Sequence, residues 1–229
     1  MQQLPLPVRL RTSSVFSAYI AGPNSAVVQS LYQQQFTASP LVFIYGQVAT
    51  GKTHLLQALC VEAAHRQQIA VYFHADDLVR YGPELLNGSA QYSFVCIDDV
   101  DAVLEQRPWN HALFNVYREL EESGGKLIMS ATRAPASYSM PLADFRSRVM
   151  GGMSLHLQSL NELEQLEALR LHASQRGLEL PDETIHYLQR RLPRDMASLC
   201  KFLDELDIAS LAAQRKLTVP FVKHVLDSR

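Results

Sequence analysis

No apolar run in this 229-residue chain approaches the ~18 residues of a membrane-spanning helix. The opening segment, MQQLPLPVRL, lacks the long apolar core of a secretory signal. There are three cysteines, Cys60, Cys96 and Cys200, and no CxxC pair. An odd, widely spaced set is neither a disulfide framework nor a zinc site, and each cysteine lies among apolar residues as a small buried hydrophobe does. Net charge is nearly absent too, at −2. That balance gives no overall support for sequence-independent nucleic-acid binding, which leaves a basic face, although a local patch stays open. There is no internal repeat and no low-complexity segment. The absences together describe a soluble protein, expected in the cytoplasm. With 47% hydrophobic and 19% charged residues, the chain suits one sizeable domain, or a medium domain with a small one.

The pattern along the chain divides it. Residues 1–15 read as an extended arm, because Pro5 and Pro7 block a helix. Residues 25–36 have helical spacing, with Asn24 or Ser25 as cap. Strands are expected at 41–45, 69–75, 92–99, 126–132 and 153–158. Helices are expected at 52–66, 76–88 (interrupted near Gly82-Pro83), 109–123 and 142–150. After residue 159 only helical segments follow, separated by Gly177, Pro181, Pro193 and Pro220. Alternation followed by helices alone predicts a parallel α/β domain at 16–159 and a small all-helical domain at 160–229.

The most informative segment is GQVATGKT, residues 46–53, directly after the apolar run LVFIY. Gly46 and Gly51 permit φ > 0 and let backbone N–H groups approach an anion. Lys52 is placed to reach outer phosphates, and the Thr53 hydroxyl to hold Mg²⁺. The following helix aims its positive end at the same anion. A chance glycine turn is the bland alternative; a strand before and a helix after argue for a phosphate loop. About 45 residues further on, FVCIDD ends in Asp98 and Asp99. Asp98 would hold Mg²⁺ through water, and Asp99 would polarise an attacking water, although a strand-end acidic pair also caps turns. KLIMSATR presents Ser130, Thr132 and Arg133 at another strand end, where ligands of wound sheets sit. FRSRV carries Arg146 and Arg148, and RDMASL carries Arg194; each arginine has a plain surface reading beside a phosphate-directed one.

Together these motifs resemble the AAA+ ATPases of the DnaA/Hda family, over nearly the whole chain from residue 16. The resemblance implies an AAA+ P-loop domain with a five-stranded parallel sheet, then a helical lid. FSAYIAGPNSAVV is similar to the segment that lies against the base, which implies roles for Ile20 and Asn24. GQVATGKTHLLQAL matches the family's phosphate loop and helix, which implies nucleotide contacts from Gly46, Val48, Ala49, Thr50, Gly51, Lys52, Thr53 and His54. SATRAP resembles sensor 1, with Ser130 and Thr132 as its candidates. FRSRVMGG resembles box VII, with the arginine finger on Arg148, and RDMASL resembles sensor 2, with Arg194 near the β/γ-phosphates. Asp144 and Ala131 depart from the initiator's usual residues, which implies that the chain's own ATP turnover is weak or absent. The initiator's helix-turn-helix and helicase-loading domains find no counterpart, so no dedicated DNA-binding domain is expected.

Gln3-Leu4-Pro5-Leu6-Pro7 resembles a sliding-clamp-binding peptide. In an extended chain Leu4 and Leu6 project from one face, while Gln3 offers a two-way amide. The resemblance then implies a regulator bound to the β subunit of DNA polymerase III, the sliding clamp. Bound ADP or ATP with Mg²⁺ would hold its domains in place. Arg148 would stimulate in trans the hydrolysis of ATP on the initiator DnaA and so prevent re-initiation. A homo-oligomer is expected when it is not engaged, and no membrane contact. The competing expectations are an autonomous ATPase serving as a clamp-loader or helicase-loader subunit, and a nucleotide-gated DNA-binding module.

Overall fold

The computed structural model describes residues 14–36, 39–192, 196–213 and 216–228. Apart from the loop tip Val48–Thr50, a first compact unit runs to Gln158 and a second begins at Ser159.

The first unit is built on β1 (Leu41–Gly46), β2 (Ala70–His74), β3 (Phe94–Asp98), β4 (Lys126–Ala131) and β5 (Met153–Leu157). All neighbours are parallel, in the order β2-β3-β4-β1-β5. Both faces are covered, which is why the strands read as continuous apolar runs. Leu41, Phe43, Val95, Ile97, Leu127 and Met129 turn to one face, against α4 (Arg107–Ser123) and α5 (Ala143–Gly151). Val42, Ile44, Cys96 and Ile128 turn to the other, against α1 (Ser25–Tyr32) and α2 (Lys52–His65). The short α3 (Ala75–Tyr81) follows β2 directly. The five-stranded parallel sheet expected from the sequence is therefore present.

Two local expectations are corrected. The first helix ends at Tyr32 rather than at residue 36. Gln34 takes φ 54°, its N–H bonds Leu31 O, and Gln35 N–H bonds Ser30 O. That is a Schellman stop built on glutamine where glycine is usual. Nor does Asn24 cap α1: it holds the cap position, but its side chain makes no cap bond. Its amide instead donates to Gln158 O (2.9 Å) and accepts from Gln158 N–H (2.8 Å), pinning the end of β5.

The second unit contains α6 (Glu162–Gln175), α7 (Asp182–Arg191), α8 (Met196–Ala213) and α9 (Val219–Asp227). Asn161 and Glu164 form a reciprocal capping box at the start of α6, which fixes where the helix begins. Leu169, Leu188, Phe202, Leu206, Phe221 and Val222 close its own core. No helix among the described residues is long and apolar enough to cross a membrane.

Candidate nucleotide-binding site

The phosphate loop leaves β1 at Gly46 and enters α2 at Lys52. Ala49 takes φ 65° and Gly51 takes φ 89°, so the loop turns through the left-handed region twice. At Gly51 a Cβ would overlap Cε2 of Tyr19 and sit 3.3 Å from its Cδ2 and Cζ. Conformation and space both demand glycine there. Burial pushes the Tyr19 hydroxyl up to about 12, partly offset by its hydrogen bond with Asn24. The His54 ring lies 5.6 Å from the Tyr19 ring. Its Nε2 donates to Val15 O at 2.8 Å. Burial pulls His54 below its ordinary value, with that hydrogen bond opposing, so at pH 7 the ring is neutral. His54 thus packs against Tyr19 and the Val15 carbonyl at the start of the loop helix. Ile20 is half-buried, Thr50 is buried and Val48 is 71% exposed.

Lys52 is 6% exposed, and its Nζ donates to Gly46 O (2.9 Å) and Gln47 O (3.1 Å). Among the described residues it has no ion-pair partner. A buried ammonium satisfied only by neutral carbonyls is costly, and its chemistry suits an anion. The Thr53 side chain is exposed, and its hydroxyl has no hydrogen-bond partner among the described residues.

The acids stand at the end of β3. Asp98 is fully buried; Oδ2 accepts from Tyr72 Oη at 2.8 Å and Oδ1 accepts from Ser130 Oγ. Ser130 Oγ in turn accepts the Asp99 N–H at 3.1 Å. One buried hydroxyl thus ties β4 to both acids. Asp99 sits at φ 54°, ψ 48°, in the left-handed region, and a carboxylate oxygen of each acid lies within 4.8 Å of the other. Burial, then the Asp98 charge, raises the Asp99 carboxyl above its ordinary value, with Lys52 and His74 opposing.

The two sensor candidates differ in what they hold. Ser130 touches the acids, whereas Thr132 is turned to Asp101, which accepts both its hydroxyl and its N–H (3.0 Å). Asp101 also accepts from Tyr138 Oη at 2.5 Å. Burial raises the Asp101 carboxyl, but hydrogen bonds from Thr132 and Tyr138 outweigh it and hold the group below its ordinary value. Asp101, Tyr72 and His74 are participants that sequence reasoning missed. Asp101 was visible as the third acid of IDDVD; Tyr72 and His74 gain meaning only once β2 is known to pair with β3.

Arg148 stands apart from this group. Its side chain is 53% exposed, with the guanidinium 3.8 Å from Glu121 and 5.7 Å from the centre of the Tyr117 ring, both on α4. Arg146 is exposed and without a side-chain partner among the described residues. Arg194, Gln3, Leu4 and Leu6 lie outside the described residues.

Comparison with known proteins adds family and fold. The family of bacterial DnaA ATPase domains matches residues 10–156, and the Hda lid domain matches residues 162–226. The fold is similar to domain III of the Thermotoga maritima replication initiation protein DnaA, at 19% identity and TM-score 0.80, covering 96% of this chain and 98% of that one. AMPPCP-bound DnaA from Aquifex aeolicus is similar at 22% identity and TM-score 0.69, covering 89% of this chain and 68% of that one. The Thermotoga maritima RuvB Holliday junction branch migration motor is similar at 15% identity and TM-score 0.61, over 89% and 66%.

Proposed function

The chain belongs to the family of bacterial DnaA ATPase domains, and from that premise we propose that it is a nucleotide-holding regulator of the initiator. ADP or ATP would lie on the loop, with the backbone N–H groups from Gly46 to Gly51 and the buried Lys52 on the phosphates. Ile20 and Tyr19 would line the base side, with Asn24 holding that segment to the end of β5. Arg194 would complete the phosphate end. The exposed Thr53 hydroxyl and the Asp98 carboxylate are oxygen donors of the kind Mg²⁺ takes. When bound, that ion supplies charge neutralisation at the phosphates. The arm residues Gln3, Leu4 and Leu6 would dock on the sliding clamp.

The observation that carries the regulatory reading is Arg148. Its side chain is half exposed, and an aromatic face and one carboxylate, both on α4, restrain the guanidinium. A restrained, outward arginine loses less side-chain entropy when it enters a partner's site. There it would stabilise charge developing on the transferring phosphoryl group. The match of residues 162–226 to the Hda lid domain supports the same reading. The test is hydrolysis of initiator-bound labelled ATP with DNA-loaded clamp present. Arg148→Ala should keep nucleotide and clamp binding and lose roughly three decades of stimulation. Undiminished stimulation by Arg148→Ala overturns the trans-finger mechanism.

A second reading, an autonomous ATPase of the clamp-loader or helicase-loader kind, is favoured by the partly exposed Asp99 carboxylate beside Asp98. Turnover by the chain alone, with no initiator present, would support it.

A further inference from the structure

We propose that His74, Asp99 and Asp98 form a binding site for a divalent transition-metal ion, filled without nucleotide. Among the described residues these three are the one group of His, Cys, Asp and Glu side chains so arranged, with ligand atoms all within 4.8 Å of one another. Register builds the site: His74 is the last residue of β2 and pairs with Asp98, the last of β3. The left-handed turn at Asp99 then brings its Oδ2 to 3.6 Å from His74 Nε2. Ligands on a first-row metal at about 2.0–2.2 Å in tetrahedral array stand about 3.3–3.6 Å apart, so this pair needs little movement.

Metal binding at His74 would exchange one hydrogen bond for another: Nδ1 would give up the Asp76 N–H and donate to the Asp76 carboxylate. In this structure Nδ1 accepts the Asp76 N–H at 3.2 Å, so the neutral ring carries its proton on Nε2. A metal on Nε2 requires the other tautomer, with the proton on Nδ1. The Asp76 carboxylate stands 3.7 Å from Nδ1 and would receive it, giving the carboxylate–histidine–metal arrangement common behind such ligands. Each oxygen of Asp98 has accepted one hydrogen bond and keeps a further lone pair. One nitrogen with carboxylate oxygens selects Zn²⁺ or Mn²⁺ over Mg²⁺, and Zn²⁺ over Mn²⁺. This site shares Asp98 with the proposed nucleotide site but draws its selectivity from His74.

Calorimetric titration of the full chain without nucleotide, using Zn²⁺, Mn²⁺ and Mg²⁺ as probes, tests the proposal. Expected is one Zn²⁺ per chain, bound at least about a hundredfold tighter than Mg²⁺. His74→Ala and, separately, Asp99→Asn should each weaken Zn²⁺ binding at least about tenfold, with circular dichroism confirming that the variants fold. Equal Zn²⁺ affinity in the parent and in either folded variant overturns the site, as does failure of the parent to bind Zn²⁺. ADP titrations in Mg²⁺ keep the two proposals apart. A parent that binds Zn²⁺ but no ADP removes the nucleotide reading and leaves the metal site standing. A parent that binds ADP, with Zn²⁺ affinity indifferent to His74, does the reverse.

Discussion

Replacing Gly51 by alanine would perturb the phosphate loop in two separable ways. An alanine at φ 89° is left-handed, which costs an L-residue about 1–2 kcal/mol. The new Cβ also overlaps the Tyr19 ring, so that ring must leave its packed position. Forcing a methyl into a filled space typically costs about 1–3 kcal/mol. Together Gly51→Ala should destabilise the first unit by about 2–5 kcal/mol. At roughly 2 °C or more per kcal/mol for a chain of this size, thermal unfolding should shift down by at least about 4 °C. Tyr19→Ala removes the ring and with it the overlap, leaving only the backbone strain. Gly51→Ala made in a Tyr19→Ala background should therefore cost about 1–2 kcal/mol. The assay is a double-mutant cycle by urea unfolding, with ADP affinity measured on all four proteins. If Gly51→Ala costs the same with and without Tyr19, the ring does not press on the loop and the reasoning is wrong.

Lys52→Ala should weaken ADP binding roughly 10- to 150-fold, the worth of about 1.5–3 kcal/mol for hydrogen bonds from a charged group; unchanged affinity by fluorescent-nucleotide displacement removes the phosphate-loop reading. Asp101, held below its ordinary value in the fold, contributes stability that is complete above the unfolded carboxylate value of about 3.9 and is lost as pH falls through its lower folded value. Asp101→Asn should accordingly be less stable than the parent at pH 7, with the gap closing on acidification below about pH 4; a gap constant from pH 7 to pH 3 in chemical denaturation would refute this. Leu4→Ala with Leu6→Ala should abolish pull-down by the sliding clamp and leave ADP affinity unchanged, since two buried leucines supply roughly 3–6 kcal/mol; retained clamp binding places the contact elsewhere.

Much of the architecture was legible because it rests on strong local signals. LVFIY before GQVATGKT and FVCIDD after it announce buried strands ending in polar chemistry, and β1 and β3 end there. The helix stop at Gly177 was readable because glycine at φ 71° is the usual device. The stops at Gln34 and Gln67 use the same backbone bonds with a residue that carries no such signal. Asn24 looked like a cap because caps are local; its true partner, Gln158, is 134 residues away. Ser130 and Thr132 have equal standing in SATR, yet an acid on the neighbouring loop claims Thr132 and leaves Ser130 to the site. His74 had no signal at all, because its meaning depends on strand pairing and on the turn at Asp99.

The Ser130 hydroxyl, shared between the Asp98 carboxylate and the Asp99 backbone, has a genetic consequence. Substitutions at position 130 act on both acids at once, so their effects should be epistatic with changes at either. A lost hydroxyl leaves Asp98 Oδ1 and the Asp99 N–H each short of a partner. No single change at 98 or 99 restores both. Suppressors of a Ser130 loss should therefore cluster at position 130 itself, as residues that again both donate and accept, rather than scatter over the acids they serve.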